Sequence, residues 1–184
     1  RSPGHDVSCN RLGENTAVLA LPLPALAVSG EHYNTTVETA VLEQDRLFAI
    51  ALTALAVPTP NGVVILKTDA PIDAAWDFGR AQLNISAASP TTIVLAATPS
   101  AGLALNGVSV ANAKAGQTAE LTLPVGHHVL TNARLDANVH HAWQIALTTL
   151  AEQTSSSATE TIAKAPAATV PGTPARDPVR IGKQ

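Results

Sequence analysis

From Thr16 to Thr131 the chain reads as short apolar or alternating runs separated by turn residues, a pattern that predicts strands rather than helices. "TAVLAL" is an apolar run closed by Pro22 and Pro24, which suit a strand end or an edge because proline has no ladder donor. In "HYNTTVETAVLEQ", Tyr33, Thr35, Val37, Thr39 and Val41 fall on one face of a half-buried strand. "RLFAIALTALAV" could be helix by composition, since Ala and Leu are good helix formers. It runs, however, straight into "PTPNG" and then "VVILKT", so two strands joined at Asn61-Gly62 are expected. Such a pair suits a type I′ turn, which needs positive φ at both central positions.

The same logic continues downstream. "AQLNISA" alternates, "TTIVLAA" is β-branched and apolar, and "LAL" and "VSV" flank a second Asn-Gly pair, Asn106-Gly107. "QTAELTLPVG" places Ala119, Leu121 and Leu123 on one face, and "HHVLT" follows as a short strand. The first 15 residues are turn-rich and read as irregular. The whole predicts an all-β fold, an antiparallel β-sandwich of about nine or ten strands, occupying residues 1–153. Within it, residues 141–153 stay open: Trp143, Leu147 and Leu150 fit helical spacing, and "WQIALTTL" fits a last strand. Residues 154–184 are Ser, Thr, Ala and Pro-rich, and predict a flexible linker, tail or arm that orders only against a neighbour.

Composition narrows the functional classes. Only 14% of residues are charged against 46% hydrophobic, and aromatics are 3%, so the core must be built from Ala, Val and Leu. Net charge is −3 and the 11 Lys and Arg are scattered singly, so no basic stripe exists for nucleic acid. No apolar run is long enough to span a bilayer as a helix. Cys9 has no internal disulfide partner and reads as a buried thiol or a link to another chain. A first residue other than Met suggests a processed product or a fragment. The triplets at Asn34 and Asn84 permit glycosylation if the source cell performs it.

Candidate chemistry is sparse. "GHHVLTNARLDANVHHAW" holds four of the six histidines around Asp136. Adjacent residues of a strand face opposite ways, so at most one histidine of each pair can converge on one ion. His128, Asp136 and His140 are therefore the candidate metal set, two imidazoles and a carboxylate. The competing reading is structural: half-exposed histidines at strand ends beside a polar loop. His5 and Asp6 with Cys9 could be imagined as a thiol site, but Cys and His this close in an irregular N-terminus are more often coincidence. "APIDAAWDFGR" offers Trp76 and Phe78 as a stacking platform for a sugar, with Asp77 and Arg80 bonding hydroxyls; a core packing role is the alternative. No nucleophile elbow, phosphate loop or dinucleotide fingerprint is present, and no cofactor is expected.

One resemblance bears on function. "GLALNGVSVANAKAGQTAELTLPVGHHVLT" resembles the C-terminal β-sandwich of heparinase II/III-like polysaccharide lyases, with its Asn-Gly turn and "L-x-L-P-x-G-x-H-x-L" closing hairpin. "RSPGHDV" is similar to the segment that enters that sandwich, with one residue fewer and Asp6 where Asn is usual. The resemblance implies a non-catalytic, secreted or extracellular module of a polysaccharide-active protein, whose partners are a glycan or a parent catalytic domain. It transfers no catalytic residue. Composition supports an alternative: a self-assembling structural subunit, such as a virion decoration protein, filament or surface layer, whose copies pair through the C-terminal arm.

Overall fold

The structure, a computed structural model, describes residues 8–11, 17–20, 24–96, 102–110 and 118–163, with side-chain detail for those of them between residues 24 and 153. Twelve strands and one helix make up this described part. They are β1 (Ser8–Arg11), β2 (Ala17–Ala20), β3 (Ala25–His32), β4 (Thr35–Glu43), β5 (Arg46–Ala56) and β6 (Val64–Asp77). Then follow β7 (Gln82–Ala87), β8 (Thr91–Leu95), β9 (Ala104–Leu105), β10 (Val108–Ser109), β11 (Ala119–Leu123), β12 (Gly126–Thr131) and α1 (Ala137–Ala163). The fold is all-β and antiparallel, as the alternation predicts. Its strands belong to one open, branched sheet in the order β1-β2-β3-β4-β5-β6-β7-β12-β9-β10, with β8 and β11 off that path.

The branch is at β6. Its first half pairs with β8, through Leu66, Lys67 and Thr68, whereas its second half, from Ile72 to Asp77, pairs with β7. Asp69, Ala70 and Pro71 lie between, where Pro71 withholds a ladder donor and lets the strand change partners. The Asp69 carboxylate accepts from Thr91 Oγ1 at 2.6 Å and Thr92 N at 2.8 Å, tying the start of β8 to the bend. The Thr91 hydrogen bond foremost, then that of Thr92, holds this carboxyl below its ordinary pKa. Neighbouring strands bulge at the same level: register shifts fall at Val28/Gly30, Thr36/Thr39 and Ala49/Leu52. In β4 the inward set accordingly changes from Thr35 and Val37 to Ala40 and Leu42. The two arms of the sheet thus turn over one core that unites Leu83 and Ile85 of β7, Ile93 and Leu95 of β8, Leu123 of β11 and Leu130 of β12.

Several turns depart from expectation. "HYNTTVETAVLEQ" is not one strand: Tyr33 (φ 48°) and Asn34 (φ 59°) form a tight turn between β3 and β4. Asn106 (φ 50°) and Gly107 (φ 80°) make the expected positive-φ turn. The β5–β6 hairpin forms, but neither Asn61 nor Gly62 takes a positive φ, and the loop closes through Val57 N to Val63 O and Gly62 N to Thr59 O. Gly62 is required there for space, since a Cβ would overlap the Val57 carbonyl oxygen. Within the N-terminal 15 residues, Ser8–Arg11 is a strand paired with β2 rather than irregular chain.

The open stretch after Asp136 is helix. Asp136 is its N-cap: its carboxylate accepts from Asn138 N at 3.0 Å and its carbonyl from His140 N at 2.8 Å. Trp143, Ala146 and Leu147 are buried and Val139 and Leu150 partly so, an i, i+4, i+7, i+8, i+11 stripe. The helix continues to Ala163, past residue 153, and residues 164–184 lie outside the described part. It runs beside β1, β2 and β3.

Aromatic rings fasten the helix. Trp76 and Phe78 centroids are 5.1 Å apart, Phe78 and Trp143 5.3 Å, Phe78 and His140 5.7 Å. Both indole N–H groups donate to backbone carbonyls, Trp76 to Ala133 and Trp143 to Glu43, each at 2.8 Å. Burying a tryptophan stabilises by roughly 4–6 kcal/mol from its area alone. Trp143→Ala is therefore expected to destabilise the fold by about 3–5 kcal/mol in denaturant unfolding, whereas Ile145→Ala, on the exposed side, changes it by under about 1 kcal/mol.

Candidate functional site

The expected sugar platform is part of the core. Trp76 is 1% and Phe78 5% exposed, and their faces are taken by each other and by Trp143, so no ring face is open for a sugar. The stretch "APIDAAWDFGR" is the end of β6 and a turn, in which alternation turns Trp76 inward. Asp77 and Arg80 do reach the surface: Asp77 Oδ2 lies 3.4 Å from Arg46 Nε and 3.8 Å from Arg80 Nε.

The expected metal set does not assemble. His128 is buried on β12, where Nε2 donates to the Pro124 carbonyl at 2.8 Å and Nδ1 accepts from Asn106 Nδ2 at 3.3 Å, which uses both ring nitrogens. Asp136 is engaged as the helix cap, and His140 sits 3.0 Å from Asp45 Oδ1, which also accepts from Gln144 Nε2. Among the described residues no group of three or more metal-ligating side chains converges. His5 and Asp6 of the thiol reading lie outside the described residues, as does the Cys9 side chain.

The structure instead marks the outer face of β4, β5, β6, β7 and β12. Strand registers set its side chains in rows across the strands. The central row is Val41, Phe48, Ala75, Asn84 and Val129. One row toward the β5–β6 bulge come Thr39, Ile50, Asp73, Ser86 and His127; one row the other way come Arg46, Asp77 and Gln82. A trough of about 520 Å³ follows the first two rows. It continues past Phe48 and Asn84 into a groove of about 390 Å³ at Arg46, Asp77 and Arg80, and past Ile50 and His127 into one of about 480 Å³ at Glu38 and Val125. Phe48 is 49% and Ile50 53% exposed.

The signal for this face lies in "RLFAIALTALAV". Its uninterrupted apolar stretch from Leu47 to Leu52 must put apolar groups on both faces of a strand, and Phe48 and Ile50 are the outward half. Across the same face Ser86 Oγ lies 2.6 Å from His127 Nδ1. Asp73 stands on the serine side of that row and accepts from Ala51 N, so it does not orient the imidazole as a nucleophile's base requires. No helix among the described residues is long and apolar enough to cross a membrane. No family model, curated protein or solved structure matches the chain.

One titratable group is out of place. His32 is 9% exposed at the end of β3, its ring 3.5 Å from that of Tyr33, and its Nε2 has no hydrogen-bond partner within the protein. Burial lowers its pKa from the ordinary 6.5. Below that value the unfolded chain takes up a proton that folded His32 resists, so its contribution to stability is intact above pH 6.5 and is lost as pH falls toward the folded pKa. Unfolding free energies at neutral and mildly acid pH should therefore differ less in His32→Leu than in the parent. An unchanged difference would show that His32 protonates freely in the folded state.

Proposed function

We propose that this chain is a non-catalytic β-module with a structural role, working by association of its outer sheet face with another macromolecule. The observation that carries this is the distribution of exposed apolar side chains. Of the seven large hydrophobic residues exposed among the described ones, four, Phe48, Ile50, Val125 and Val129, line this one trough and its continuation. Scattered apolar residues are normal on a surface; gathered in one concavity with a polar rim they mark a contact site. In this reading the alternative role of an assembling subunit takes precedence, with the sheet face rather than the C-terminal arm as the contact.

A second reading keeps the module of a secreted polysaccharide-active protein, favoured by the polar end of the trough. There Phe48 is flanked by Arg46, Asp77, Arg80, Gln82 and Asn84, an aromatic ring beside hydroxyl-bonding groups. The two readings separate on one pair of variants. If association is the function, native mass by light scattering exceeds that of the 18.8 kDa chain, alone or with its partner, and Ile50→Lys lowers it without loss of fold. If the glycan reading holds, the chain is monomeric, a glycan array gives a ligand, and Phe48→Ala weakens binding about tenfold or more.

A further inference from the structure

We propose that the occupant of the outer face is a second copy of this chain, packed across a two-fold axis that crosses the strands along the row of Phe48. The inference rests on the reading of this face as a contact surface and adds the partner and its orientation.

Charge sets the orientation. At one end of the trough Arg46 and Arg80 flank the carboxylate of Asp77, and Glu43 follows Val41 on the same face of β4. At the other end stand Glu38 and Asp73, and the described lining there holds no lysine or arginine. Between them the row through Phe48 carries no charge. A face with both arginines at one end, carboxylates without a basic side chain at the other, and an apolar middle gains ion pairs with itself when turned end for end. An axis across the strands does this, setting Arg46 and Arg80 of each copy over Glu38 and Asp73 of the other. An axis along the strands would lay arginine on arginine, and is disfavoured by the same charges. Phe48 and Ile50, each about half exposed, would then pack near the axis, where a symmetric contact counts twice. A foreign partner would need to match one end only; a second copy matches both without further assumption.

The test is sedimentation velocity on the full chain from about 1 to 100 µM, with fold checked in each variant by circular dichroism and thermal unfolding. The expected particle is twice the 18.8 kDa chain. Arg80→Glu and Glu38→Arg should each weaken the dimer about tenfold, since every reversal acts at two symmetric contacts, and their equimolar mixture should restore it as a heterodimer. Phe48→Glu should abolish it. A dimer lost in Phe48→Glu but indifferent to both charge reversals, or growth into open chains, would overturn the two-fold arrangement while leaving the face a contact surface. A monomer throughout, or a dimer indifferent to Phe48→Glu, would overturn the second copy as occupant; with a monomer, a foreign protein or a glycan is left to fill the face, and with an indifferent dimer the reading of the face falls as well.

Discussion

The contact on which the rest of the structure hangs is the hydrogen bond from the Trp76 indole to the Ala133 carbonyl, together with the rings packed around it. Ala133 also donates its N–H to Ala81, so both sides of this residue are held by the end of β6 and the turn that follows it. The peptide so fixed is the link between β12 and α1. From it the chain reaches Asp136, which starts the helix, and Trp143, which docks it on Phe78 and on the carbonyl of Glu43. In a chain with 3% aromatic residues, both tryptophans and one of two phenylalanines meet at one point. Elsewhere the core is Ala, Val, Leu and Ile, whose smaller areas contribute less per residue. The helix is therefore secured by large groups at its first turns, from which Ala146, Leu147 and Leu150 continue the buried stripe.

The second constraint is the bend. A strand as long as β6, with Lys67, Asp69 and Asp73 on the face opposite Leu66, Thr68 and Ile72, cannot serve two sheet arms unless its neighbours shift with it. They do so by shifting register at one level, and in β4 and β5 the inward and outward sets exchange there. Ala51, at φ 52°, is the residue that takes the strain in β5, and Asp73 accepts its N–H. The same device that closes the core thus also shapes the outer face, because it bends β4, β5 and β6 around the trough.

Much of this was legible in residue order, for identifiable reasons. Strand identity at β7 and β11 followed from period-two patterning, and at β5, β6, β8 and β12 from short apolar or β-branched runs bounded by turn residues. The Asn106-Gly107 turn followed from the φ requirement of a two-residue hairpin. What failed were inferences from residue type without an environment. Trp76 and Phe78 looked like a platform beside charged residues, yet their position on the strand sends them inward. Asp136 looked like a ligand, yet a carboxylate just before an apolar stripe at helical spacing is equally a cap. His128 Nδ1 and His140 Nε2 are committed to partners more than twenty and ninety residues away, Asn106 and Asp45, which no local pattern reveals. The Asn61-Gly62 pair shows the converse: the hairpin was right and the mechanism was not, because the loop is longer and Gly62 serves close approach.

The continuous apolar run of β5 ties fold to function. Outward Phe48 and Ile50, each about half exposed, contribute less to folding than the inward set of β5, and an exposed apolar patch carries a risk of aggregation. Polar residues at these positions would leave Leu47, Ala49 and Leu52 to fill the core unchanged. Folding alone therefore does not account for them. Their neighbours on the same face, Asn84, Ser86, Asp73 and Gln82, are polar, so the outward surface is not simply an Ala- and Val-rich composition showing through. The apolar groups stand in the middle and the charges at the ends, which is the arrangement of an interface with a core and a rim. That arrangement, and not any single side chain, is what makes association the reading that explains why this strand is apolar on both of its faces.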